Sequence, residues 1–209
     1  MKKIVQILIA ACMLLLSAQS VFAAEFMEVS QGVDLTNIQT IAIAKPHYTP
    51  SQKDPAAIEL TKAMINSAET KYFTVVPYED IELKFLREKN VDLNAMDSRL
   101  AADYFAKNTA GIADVYVIAT VTTASKKFIF FEVYKAGTND LLFQHQIEVN
   151  QRQLSYELFQ DAAHSFYVLL HDTQVQQMKK KEKEMYDKTR TDLKGKKPES
   201  GFKNKFKKN

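Results

Sequence analysis

Histidines, a single cysteine and clustered acids are the residues with which this chain could do chemistry, and their spacing argues against most of it. The histidines fall at His47, His145, His164 and His171. His164 and His171 share a helical face but stand seven residues apart, about 10 Å along the axis, too far to hold one ion between them. No H-x-x-x-H spacing occurs, so surface or boundary positions are expected for both. His145 alternates in step with Phe143 and Ile147, which makes it a core histidine with its hydrogen bonds satisfied. Glu79, Asp80 and Glu82 form an acidic cluster able in principle to act as an acid/base pair or to hold calcium. They lack the D-x-D-x-D-G spacing of a calcium loop and open a helix, where the macrodipole favours acids anyway. No Gly-x-Ser-x-Gly elbow is present, and Ser165 beside His164 points to a different helix face. The five glycines, Gly32, Gly111, Gly137, Gly195 and Gly201, are nowhere grouped as a phosphate cradle requires. The expectation is a chain without catalytic activity, cofactor or metal.

The same inventory addresses the compartment. Lys2 and Lys3 precede an apolar run from Ile4 to Leu16, and Val21-Phe22-Ala23 supplies small residues for cleavage. This reads as a signal peptide over residues 1–23, cleaved after about Ala23, on a chain bound for the periplasm or cell envelope. The run is shorter than the roughly 20 residues of a spanning helix. Ile9-Ala10-Ala11-Cys12 looks like a lipobox, so lipidation at Cys12 is the alternative. Met13 to Leu16 stay apolar where a lipoprotein turns polar, which favours ordinary cleavage and a mature chain with no thiol.

Positioning falls to one domain plus extensions. Residues 24–36 read as a polar linker. Residues 37–177 read as an α/β domain: a strand over Ile38–Ala44, a helix from Pro55 to Lys71 capped by Asp54, and a short strand over Tyr72–Val76. Two helices follow, carrying Ile81, Leu83, Phe85 and Leu86, then Leu100, Ala101, Tyr104 and Phe105, with Asp97 and Gly111 at the second one's ends. A meander over Val115–Thr122, Phe128–Tyr134 and Leu141–Val149 completes the sheet. A last helix starts near Leu154 and buries Leu158, Ala162, Phe166, Leu169 and Leu170. The fold class is α/β: a single mixed sheet of about five strands with helices packed on it, in the order β-α-β-α-α-β-β-β-α. A basic helical extension over 178–195 and a disordered basic tail over 196–209 follow.

Two surfaces stand out. The first two meander strands are apolar on both faces, so Phe128, Phe130, Phe131 and Tyr134 mark a partner-binding surface if helices cover only one side, and plain core if they cover both. The second is electrostatic. Residues 24–177 hold 13 Lys and Arg against 20 Asp and Glu, and residues 178–209 hold 13 against 5, so a body of −7 carries an extension of +8. In the tail Lys196, Lys197, Lys203, Lys205, Lys207 and Lys208 surround Phe202 and Phe206. An anionic membrane, a wall polymer or the acidic body itself would each attract it. Nucleic acid is disfavoured because export makes that ligand scarce, and a solvated tail with no ligand is the remaining reading.

The element order, Asn37-Ile38-Gln39-Thr40-Ile41-Ala42-Ile43 at its start and Ala113-Asp114-Val115-Tyr116-Val117-Ile118-Ala119-Thr120-Val121 at the meander, resembles a group of exported bacterial envelope domains. The group includes the curli-secretion lipoprotein, the N-terminal domain of TolB and the outer-membrane activators of penicillin-binding proteins. The resemblance spans about residues 35–172. It implies a non-enzymatic domain that binds envelope proteins or assembles, and it carries over no site residue. The leading expectation is an exported envelope protein that meets a protein partner and an anionic surface. The alternative is a self-assembling subunit or lipoprotein of secretion or envelope assembly.

Overall fold

The computed structural model describes residues 22–49, 56–68, 72–123, 126–150 and 154–195. Its strands are β1 (Phe22–Val29), β2 (Thr40–Ile43), β3 (His47–Thr49), β4 (Thr74–Val76), β5 (Val115–Thr123), β6 (Lys127–Lys135) and β7 (Leu141–Val149). Its helices are α1 (Ala56–Ala68), α2 (Tyr78–Lys89), α3 (Ser98–Asn108) and α4 (Tyr156–Gly195), with a 3-10 turn over Leu93–Ala95.

β-Branched and aromatic runs over residues 115–149 make the centre of the sheet, because such side chains pack well on a pleated surface. β5, β6 and β7 form the expected antiparallel meander. Gly137 turns the chain between β6 and β7 at φ +83, and a Cβ there would lie 2.9 Å from that of Ala110, so only glycine fits. On one side of the meander β5 pairs in parallel with β2, and β2 with β4; on the other, β7 pairs antiparallel with β1. The strand order is β1-β7-β6-β5-β2-β4, with β3 also pairing β5 beyond the end of β2. One open mixed sheet results, as expected, with seven strands.

The motif Ala113-Asp114 has a physical account in this topology. Asp114 Oδ2 accepts the backbone N–H groups of Gln39 (2.9 Å) and Thr40 (2.8 Å), and Asp114 N–H donates to Thr40 O (3.0 Å). One carboxylate thereby fixes where the parallel pair of β2 and β5 begins.

One face of the sheet is sealed by α1 and α4. Leu60, Ala63 and Met64 of α1 and Leu158, Phe159, Ala162, Ala163, Phe166, Tyr167 and Leu170 of α4 are buried against Ile41, Ile43, Val117, Ala119, Ile129, Phe131, Val133, Phe143 and Ile147. Among the described residues the opposite face is covered at one end only, where Ile81 and Phe85 of α2 and Phe105 and Ala106 of α3 pack on Ala42, Ala44 and Tyr116. Asp97 caps α3 through Arg99 N–H.

Several expectations need correction. Residues 24–29, read as part of a polar linker, lie in edge strand β1; its sequence FAAEFMEV has little β signal of its own and is held by β7. β3 has only three residues after Pro46, too few for a periodicity argument. β1 also makes β7 an inner strand. Leu83, Leu86 and Leu100, grouped with helical core positions, stay exposed because α2 and α3 each bury one narrow stripe. The Asp54-Pro55 helix start lies outside the described residues.

α4 is 40 residues long, about 60 Å at 1.5 Å per residue. Beyond its packed half, every described side chain from Met178 to Thr191 is exposed. A clamp holds the junction to the loop before β2. Gln174 Nε2 donates to Leu35 O (2.7 Å) and Ile38 O (2.9 Å), and Gln177 Oε1 accepts Leu35 N–H (2.8 Å). Lys181 Nζ reaches Asp34 Oδ2 (2.5 Å), and this hydrogen bond, with those from Thr36, lowers the Asp34 carboxyl to about 2.

Candidate functional site

The uncovered half of the second sheet face is where side chains are presented without a described helix over them. Alternation along β5, β6, β7 and β1 turns Thr120, Phe130, Gln146 and Phe26 to this face, and the register places them side by side, with His47 of β3 next to Thr120. The adjacent row runs Thr49, Thr122, Phe128, Glu148 and Ala24. The rings of Phe128 and Phe130 lie 5.8 Å apart and tilted. Neither belongs to either core cluster; both are half-buried, while Phe26 is 53% exposed.

Polar groups frame these rings. Lys126 Nζ pairs with Glu148 Oε1 at 2.8 Å, Phe128 N–H donates to Thr122 Oγ1 at 3.2 Å, and Glu132 and Gln144 face each other one row further on. An aromatic centre with a rim of amides, hydroxyls and carboxylates has the composition of a protein-binding patch.

Phe131 does not join it. Being next to Phe130 on a strand, it points to the opposite face, is fully buried and stacks on Phe166 with centroids 4.8 Å apart. Tyr134 sits at the margin, stacked on Tyr116 at 5.3 Å and packed against the cluster under α2 and α3. Burial, then the charge of Glu132, raises the Tyr134 hydroxyl above its usual range. Of the four expected residues, the structure therefore keeps Phe128 and Phe130 together, moves Phe131 into the core and leaves Tyr134 at the edge. Phe26 was missed, because its strand was read as a linker. Lys196, Lys197, Phe202, Lys203, Lys205, Phe206, Lys207, Lys208 and Cys12 lie outside the described residues.

The remaining chemical candidates are dispersed. His164 is exposed, His171 stacks on Tyr72 at 4.2 Å, and Ser165 Oγ donates to Glu25 Oε1 at 3.2 Å. Glu79 and Asp80 occupy the first turn of α2, and Glu82 accepts from Asn94 Nδ2. His145 is in the core as expected but not hydrogen-bonded: it is fully buried, and neither ring nitrogen has a partner. Among the described residues no three His, Cys, Asp or Glu side chains come together to hold a metal, and no helix is long and apolar enough to cross a membrane.

No family model matches the chain. No curated protein sequence matches it either. Among solved structures, it is similar to the PelC dodecamer from Paraburkholderia phytofirmans, with TM-score 0.42 and 8% identity over 71% of this chain and 96% of that one. It is also similar to the LpoB C-terminal domain from Escherichia coli, with TM-score 0.42 and 17% identity over 58% and 88%. A DUF4136 family protein from Bacteroides thetaiotaomicron gives TM-score 0.41 and 8% identity over 71% and 98%.

Proposed function

We propose that this chain is a non-enzymatic, exported cell-envelope protein that binds a protein partner on the uncovered half of its sheet and an anionic envelope surface through residues 196–209. The observation that carries the first half is the pair Phe128 and Phe130, standing outside both cores on a face whose other end is sealed by helices. Export rests on the basic, apolar and small-residue pattern of residues 1–23.

A photo-crosslinking residue placed at Phe130 is expected to give an adduct with a discrete envelope protein in intact cells, and the same residue at exposed His164 is not. Equal labelling at both positions, or none at Phe130, sinks the partner reading. For the tail, sedimentation with anionic vesicles at low salt is expected to require residues 196–209 and to fade at high salt, each lysine at the surface contributing about 1 kcal/mol. Salt-independent pelleting, or none, removes the membrane surface from the proposal.

A further inference from the structure

The two edges of the sheet are built differently. β4 has three residues and Pro77 follows it at once, which is how an edge is blunted against pairing. β1 has eight residues, of which Ala24–Val29 follow the expected cleavage point, with neither Pro nor Lys among them, and Ala24 to Glu28 are all exposed. Ser30 N–H donates to Leu142 O at 3.0 Å, and this sets the phase of the ladder. In antiparallel pairing, hydrogen-bonded and non-bonded residue pairs alternate. Ala24, Phe26 and Glu28 therefore turn their backbone groups to β7, while Glu25, Met27 and Val29 turn theirs outward, where no described strand receives them.

We infer that β1 pairs antiparallel with β1 of a second copy, about a two-fold axis through Phe26. A two-fold normal to the sheet keeps each face on its own side, so two residues can oppose each other only if their numbers sum to an even value. Glu25 and Glu28 sum to an odd value and never meet. Axes through residue 25 or residue 28 would set a glutamate against itself, and an axis through Met27 would set the Phe26 ring against a carboxylate, Glu28 of the partner subunit. An axis through Phe26 sets Phe26 against Phe26 of the partner subunit, at the non-hydrogen-bonded position where side chains approach most closely. Glu25 then faces Met27 of the partner subunit, with which it exchanges the outward backbone hydrogen bonds, and Ala24 faces Glu28 of the partner subunit. The pairing opposes no like charges.

A consequence is geometric. The row Phe130, Gln146, Phe26 continues across the axis into its own copy, so the two uncovered half-faces become one surface. This pairing does not rest on what that surface binds.

The test is the molar mass of the chain, as expressed and processed, over a concentration series in analytical ultracentrifugation. A reversible dimer is expected. Met27→Pro removes an outward N–H and leaves the bonds to β7 in place, so it is expected to weaken the dimer by at least about tenfold while the circular dichroism of the folded chain is kept. Met27→Lys, which also guards an edge, is the second variant should proline disturb the strand. Phe26→Cys is expected to form a disulfide-linked dimer under mild oxidation that the wild-type chain does not form. A wild-type monomer throughout, or a dimer indifferent to both Met27 variants, overturns the pairing; so does a Phe26→Cys chain that dimerises without cross-linking. The Met27 variants leave Phe26, Phe128 and Phe130 in place, so failure of the pairing in those variants leaves the partner reading standing.

Discussion

Acidification from pH 7 to pH 4 is expected to remove about 3 kcal/mol of folding stability through His145 alone. The ring is fully buried in β7, stacked on Phe131 at a centroid distance of 6.1 Å, and opposes Met27 across the ladder to β1. Burial disfavours the imidazolium and lowers the ring from 6.5 to about 4. Between those two values the unfolded chain binds the proton and the folded chain does not. Stability is therefore full above pH 6.5 and is lost as the pH falls towards 4. A neutral imidazole also has one donor and one acceptor, and both are unpartnered here. His145→Leu replaces the ring by an apolar side chain of similar size. It is expected to raise stability at pH 7 by about 1–3 kcal/mol and to flatten the profile between pH 7 and 4.5. Urea denaturation of both proteins at three pH values in that window measures the difference. Asp34 acts in a separate window, because its stabilising contribution is present above the ordinary carboxylate range and is lost as the pH falls towards 2. Parallel profiles for the two proteins would refute the assignment to His145.

His145 also illustrates how far periodicity reaches. Its step with Phe143 and Ile147 was enough to assign it to the core face, because a period of two is a geometric property of a strand. Periodicity does not report whether a partner waits at the end of the ring. Phe128 to Phe131 sets a similar limit. With apolar residues on both faces, alternation separates Phe130 from Phe131 but cannot say which of them a helix covers. That depends on where α2 and α3 end on the sheet, and those helices cover Tyr116 and stop short of Phe130. Asp114 was legible as half of a motif, though its work on the N–H groups of Gln39 and Thr40 spans 75 residues of sequence and leaves no local trace. β1 was the least legible element. Its propensity is weak, it overlaps the small-residue end of the apolar leader, and its pairing with β7 is nonlocal. Missing β1 concealed Phe26 and with it the exposed edge.

Gln174→Ala is expected to destabilise the chain by about 1–3 kcal/mol, more than a surface glutamine on the same helix would suggest. Gln174 is 5% exposed, and its amide is the donor to two carbonyls, Leu35 O and Ile38 O, in the loop that leads into β2. Each acceptor left unpaired away from water costs about 1–3 kcal/mol. Leu35 O keeps one other bond, from Ile38 N–H at 3.2 Å, so Ile38 O is the acceptor that the substitution strips. Gln177 completes the grip from the next turn through Leu35 N–H and Val33 O (3.1 Å), so the two glutamines should be coupled. The double variant is expected to lose less than the sum of the single losses, because the first removal already frees the loop. Gln176→Ala, on the exposed side of the same turn, serves as the control and should stay within about 0.5 kcal/mol of wild type. Amide exchange at Leu35 gives a local readout that global denaturation does not: it should accelerate in Gln174→Ala and not in Gln176→Ala. If Gln174→Ala matched the control in both measurements, the clamp would not be what holds α4 to the loop before β2. The half of α4 beyond Met178 would then be tied to that loop by Lys181, through Asp34 and Thr36 Oγ1 (2.9 Å), and the exposed ion pair contributes at most about 1 kcal/mol.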